Sequence, residues 1–129
     1  MAGSLNKVML IGNLGADPDM RQTQDGKRMA LLSLATSESW KDKSTGEKKE
    51  KTDWHRIVIF NEGLAGIVES YLKKGSKIFV EGQLRTRKYT DANGVEKFTT
   101  EVVLSGFNGN LTMLDNRGGG TDSNISSEP

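Results

Sequence analysis

Residues 52–75 read TDWHRIVIFNEGLAGIVESYLKKG, and the period of their side chains changes part-way. From Thr52 to Phe60 the stretch is rich in aromatic and β-branched residues, with Ile57, Val58 and Ile59 in a row, which predicts a strong strand. Beyond it Leu64, Ile67, Val68, Tyr71 and Leu72 recur at i, i+3, i+4, i+7 and i+8, a single apolar stripe on a helix. Asn61 is placed to cap the start of that helix, Lys73 and Lys74 fall in its last turn, and Gly75 ends it.

Working outward, Leu5–Leu14 and Arg28–Ser37 read as two earlier strands, and Trp40–Asp53 as a charged loop with five lysines around Gly46. Downstream, strands are expected over Lys77–Tyr89 and Val95–Ser105. Asp91–Gly94 turns between them, because Asn93 and Gly94 both tolerate positive φ. A short last strand is expected over Asn110–Leu114. Three strands, a helix, then at least two more strands predict an all-β fold with one helix. The match is a five-stranded Greek-key barrel of the OB type, with the helix between the third and fourth strands. A β-sandwich has no use for the helix. A ferredoxin-like fold needs one after its first strand, where Gly12–Asp25 carries no helical stripe.

The chain has 129 residues, 18 Lys and Arg against 17 Asp and Glu, and a formal net charge of +1. That length suits one domain, expected over residues 1–114. Residues 115–129 hold Gly, Ser, Asn and acids with Ile125 as the one large apolar side chain, and read as a flexible tail. With no cysteine, disulfides, zinc ribbons and a catalytic thiol are excluded; with His55 the one histidine, neither a His-rich metal site nor a Ser-His-Asp triad is expected. Gly12-Asn13-Leu14-Gly15 lacks the Lys-Ser/Thr end of a P-loop, and Asp17 and Asp19 around Pro18 read as a capped turn. No catalytic residue, metal or cofactor is therefore expected. No apolar run approaches the roughly 20 residues a membrane helix needs, and a cytoplasmic protein is expected.

The informative residues lie on alternating faces. Period two puts Trp54, Arg56, Val58 and Phe60 on one face of their strand, and His55, Ile57 and Ile59 on the other. Farther on, Arg85, Arg87 and Tyr89 share a face, and Trp40 heads the Lys-rich loop. Between Lys73 and Lys97 seven basic residues face three acids, so overall neutrality conceals a local basic stretch. Aromatics among cations suit single-stranded nucleic acid: every base offers a π-face to stack, and the cations follow the phosphates. Duplex DNA hides its base faces from such a surface. His55 reads as a packed, hydrogen-bonded histidine.

The motifs NKVMLIGNLGADPDMR (Asn6–Arg21), LATSESWKDKSTGEKKEKTDWHRIVIF (Leu34–Phe60), YLKKGSKIFVEGQLRTRKY (Tyr71–Tyr89) and TTEVVLSG (Thr99–Gly106) resemble the bacterial-type single-stranded DNA-binding protein family, also found in mitochondria. They cover nearly all of the expected domain, in order. The resemblance implies an OB fold, a homotetramer, and sequence-tolerant binding of single-stranded DNA in replication, recombination and repair, in the nucleoid. It assigns base stacking to Trp40, Trp54, Phe60 and Tyr89, and phosphate contact to Lys43, Lys49, Arg56, Lys74, Arg85, Arg87 and Lys88. It places His55 at a subunit interface.

This sequence departs from the family pattern at Tyr89, where relatives often carry Trp, at Ala2-Gly3-Ser4, where they often carry Arg, and at Asn61-Glu62-Gly63. Relatives usually end in an acidic tip with a terminal Phe that recruits replication and repair proteins. Ser127-Glu128-Pro129 is not such a tip, so recruitment by that route is not expected of this form. The alternative is an OB-fold assembly factor that binds mainly protein or RNA. Loss of the stacking aromatics would favour it, and all four are present.

Overall fold

Along β3 (Arg28–Lys41) Ala30, Leu32 and Leu34 are buried and alternate with residues that are not, as a half-buried strand requires. The computed structural model describes residues 3–106 and 109–114; the expected tail, 115–129, lies outside the described residues. Around β3 stand β1 (Val8–Leu14), β2 (Asp19–Gln22), β4 (Lys48–Ile59), β5 (Lys77–Thr90), β6 (Glu96–Leu104) and β7 (Asn110–Met113), with one helix, α1 (Glu62–Tyr71). Pairing runs β1-β3-β4-β6-β5, and β1 also pairs with β5, so five strands close into a ring. In chain order α1 falls between the third and fourth strands of that ring. This is the expected OB barrel.

Inward side chains from all five ring strands meet in one core, including Leu14, Leu34, Ile57, Ile59, Ile78, Val80, Val102 and Leu104. Burial of each large side chain contributes about 1.5–3 kcal/mol. From the expected stripe Val68 and Leu72 enter this core and Leu64 packs against it, joined by Ala65, while Ile67 and Tyr71 are exposed; the helix packs against β3 and β4. Asn61 caps the helix, its side-chain oxygen accepting from the Leu64 N–H at 3.1 Å. The helix ends at Tyr71, so Lys73 and Lys74 lie in the turn beyond it and not in its last turn. Closure brings β1 hard against β3 at Gly12, where a Cβ would stand 2.2 Å from the Ala35 carbonyl oxygen; only glycine fits there.

Three elements differ from the sequence-based expectation. The stretch expected as a charged loop is instead a two-stranded arm: β3 and β4 stay in register out to Trp40 opposite Lys49 and Lys41 opposite Lys48. Its lysines and acids are exposed on both pleats, so the alternation that marks a half-buried strand is absent from the arm. A short turn closes it, with the Asp42 carboxylate accepting from the Ser44 N–H at 2.8 Å. The second difference is β2, four residues of which only Met20 is partly buried, paired to the outside of β3. Third, Asp19 opens β2, while the Asp17 carboxylate accepts from the Lys74 N–H at 2.8 Å, fastening the β1–β2 connection to the turn after α1.

Candidate nucleic-acid interface

The outward pleat of β4 carries Trp54 and Arg56, with Phe60 just past its end, and that of β5 carries Arg85, Arg87 and Tyr89. β6 runs between them. It pairs parallel with β4 (Ile57 opposite Val102) and antiparallel with β5 (Arg85 opposite Glu101), so Glu101 lies between the two basic strands. Its carboxylate accepts from Nε of Arg56 at 2.7 Å and from Nε and Nη2 of Arg87, each 3.2 Å at its shorter distance. Arg85 donates instead to the Gln83 side chain at 3.0 Å.

Three shallow hollows follow one another across this face. The first, about 350 Å³, is lined by Asp17, Arg21, Trp54 and Arg56 among others. The second, about 550 Å³, lies between Arg21, Arg56, Phe60, Arg85 and Arg87 over a floor that includes Leu31, Val58 and Val103. The third, about 320 Å³, is formed by Arg56, Arg87, Tyr89 and Thr99. Arg56 lines all three, so they form one track with an aromatic ring at each station. Trp54 is 61% exposed, Phe60 44% and Tyr89 40%, enough open ring in each case for a planar group to stack.

Six of the residues expected to contact nucleic acid are thus brought together: Trp54, Phe60, Tyr89, Arg56, Arg85 and Arg87. The others stand apart. Trp40 is exposed near the end of the β3–β4 arm, opposite Lys49 and on the other pleat from Trp54; Lys49 pairs with Glu47 at 3.4 Å, and Lys43 lies in the turn. Lys88 occupies the pleat of β5 opposite to Arg87 and pairs with Glu96 at 3.1 Å. Lys74 follows α1, its backbone held by Asp17 at the edge of the first hollow. His55 is half-buried on the inner pleat, with Nε2 2.9 Å from the Thr36 hydroxyl. Among the described residues no group of three or more His, Asp or Glu side chains is arranged to hold a metal ion.

Residues 5–113 match the Single-strand binding protein family. The chain belongs to that family. It is 61% identical over 119 residues to a single-stranded DNA-binding protein of Rhizobium meliloti, covering 92% of this chain and 68% of the relative. With a protein of the same description from Rickettsia typhi it shares 62% over 117 residues, covering 91% and 77%. A solved structure described as Plasmodium falciparum SSB complex with ssDNA superposes with a TM-score of 0.79 at 44% identity, covering 89% of this chain and 99% of that one.

Two residues of this family member's track escaped the sequence reading. Arg21 lines the first two hollows and pairs with Asp19 at 3.0 Å; it sits on β2, whose four residues carry too weak a pattern to be recognised. Glu101 is the one acid in TTEVVLSG (Thr99–Gly106), and its alternation with Thr99 and Val103 was the available signal.

Proposed function

We propose that this protein binds single-stranded DNA without reading its sequence, along the track from Trp54 past Phe60 to Tyr89. It acts as a binding protein and not as an enzyme. One observation carries the assignment: Arg56 lines all three hollows, and each hollow is also lined by one of the three rings, Trp54, Phe60 or Tyr89. Bases stacked on the rings leave their phosphates near Arg21, Arg56, Arg85 and Arg87. For proteins of this kind, stacking is generally worth about 1–3 kcal/mol per base, and each phosphate neutralised adds salt dependence. A duplex presents no free base faces and is rejected on that ground. The role that follows is to coat and protect exposed strands in replication, recombination and repair, in the cytoplasm at the nucleoid. No helix among the described residues is long and apolar enough to cross a membrane.

The phosphate set extends to Lys43, Lys49, Lys74 and Lys88, and the stacking set to Trp40 if the strand continues onto the β3–β4 arm. The protein assembles as a homotetramer. Two features support a self-association surface: β1 pairs with β3 only at Asn13 and Leu14, and Met9 and Ile11 are exposed on the β1 stretch before them. His55 is assigned to a subunit interface in that assembly. Residues 1–114 form the DNA-binding domain and 115–129 a tail.

Intrinsic fluorescence tests the reading directly. Oligo-dT is expected to quench the Trp54 emission at low salt, with Trp40 quenched only by strands that reach the β3–β4 arm, and to lose affinity steeply as salt rises. A matching RNA and a duplex serve as the other arms. Equal or tighter binding of RNA would move the assignment to RNA, and no quenching by any strand would end it.

A further inference from the structure

Glu101 is the one buried charged side chain among the described residues, only 4% exposed, and it lies in the middle of the face assigned to phosphates. By charge alone it is misplaced, since a carboxylate there opposes a polyanion. Its bonds give the reason for its presence. A guanidinium has five N–H donors in a fixed plane. Glu101 takes one from Arg56 and two from Arg87, while both arginine side chains remain about half exposed. Each guanidinium is held by one edge and keeps its remaining donors for a ligand.

Without that carboxylate, two like charges on long stems would separate and sample many rotamers, and ordering them would oppose binding. We infer that Glu101 is a positioning residue for single-strand binding, fixing the Arg56 and Arg87 guanidiniums between the Phe60 and Tyr89 stations. The inference rests on the binding face proposed above. A shared carboxylate also couples the pair: Arg56 reaches it from β4 and Arg87 from β5, so one anion sets the spacing of cations on two strands that do not pair with each other directly.

Glu101→Gln keeps the size and an acceptor oxygen and removes the negative charge. Net charge predicts that this variant binds oligo-dT more tightly, with a steeper salt dependence. Positioning predicts the opposite sign: affinity about five- to tenfold weaker at moderate salt, and a slope of log K against log salt shallower by about 0.7 for each phosphate no longer neutralised. Tighter or unchanged binding by the folded variant overturns the inference. Should Glu101→Gln fail to fold, Arg87→Lys keeps the charge and loses the planar fork. It is expected to weaken binding about fivefold, and wild-type affinity would overturn the inference. Arg56→Ala combined with Arg87→Ala separates the two levels. If that pair binds like wild type, the proposed face itself is wrong; if it weakens while Glu101→Gln does not, only the positioning role falls.

Discussion

The indole of Trp54 lies directly over Gly15: a Cβ at position 15 would stand 2.3 Å from Cζ3 and 2.7 Å from Cη2 of the ring. The backbone of Gly15 is itself fixed, its N–H donating to the Ser33 carbonyl at 2.9 Å. The missing side chain of one residue therefore sets the pose of the other. Gly15→Ala is expected to displace the indole and weaken oligo-dT binding several-fold. Stability should change by less than about 1 kcal/mol, because the displaced ring is largely exposed. Titration and thermal melting of the same variant check both halves.

Phe60 stands beside the largest hollow of the track. Phe60→Ala is expected to cost about 1–3 kcal/mol of single-strand affinity, and Trp54→Ala a similar amount. Phe98 provides the control. It is highly exposed on β6 but occupies the pleat opposite to Glu101, so Phe98→Ala should leave the affinity for a short oligo-dT within about twofold. Equal losses from Phe60→Ala and Phe98→Ala would mean that the strand does not follow the track.

Arg21 enters the track from β2 and faces two hollows. Arg21→Ala should reduce the slope of log K against log salt by about 0.7, the value for neutralising one phosphate of a single strand. An unchanged slope would remove Arg21 from the binding face.

At the β5–β6 turn, the Asp91 carboxylate accepts from the Val95 N–H at 3.0 Å and the Asn93 N–H at 2.9 Å, and pairs with Lys97 at 3.2 Å. The Val95 N–H and then Lys97 hold this carboxyl below the usual aspartate range, with the Asn93 N–H adding to them. A carboxyl lowered in the folded state adds stability that is fully present above its unfolded value. That stability is lost as pH falls through the lowered folded value. Neutral and mildly acid solutions should leave the turn intact. The Val95 and Asn93 amide resonances should titrate with a midpoint below that of an ordinary aspartate, and a midpoint above it would contradict the hydrogen-bonding account.

Leu104 is fully buried where β6 meets β4, and the Phe60 N–H donates to its carbonyl at 2.9 Å. Leu104→Ala is expected to destabilise the barrel by about 2–5 kcal/mol in denaturant unfolding. Binding should persist below the unfolding midpoint, because the outer pleat keeps its side chains.

Much of this protein was legible in its sequence because the signals are local. The helix follows from a stripe repeating every three to four residues, the barrel strands from their apolar runs, and the two outward aromatic–arginine faces from alternation two residues apart. Where both faces of a segment are wet, as in the β3–β4 arm, or where a strand is as short as β2, that pattern vanishes and the element was missed. The joining of the two faces into one track was decided only by tertiary structure. Arg56 meets Glu101 across 45 residues of chain and Arg87 meets it across 14, because β6 is hydrogen-bonded between β4 and β5. Alternation tells which side chains share a pleat of one strand; which strands become neighbours, and so which charges must share a carboxylate, depends on how the barrel closes.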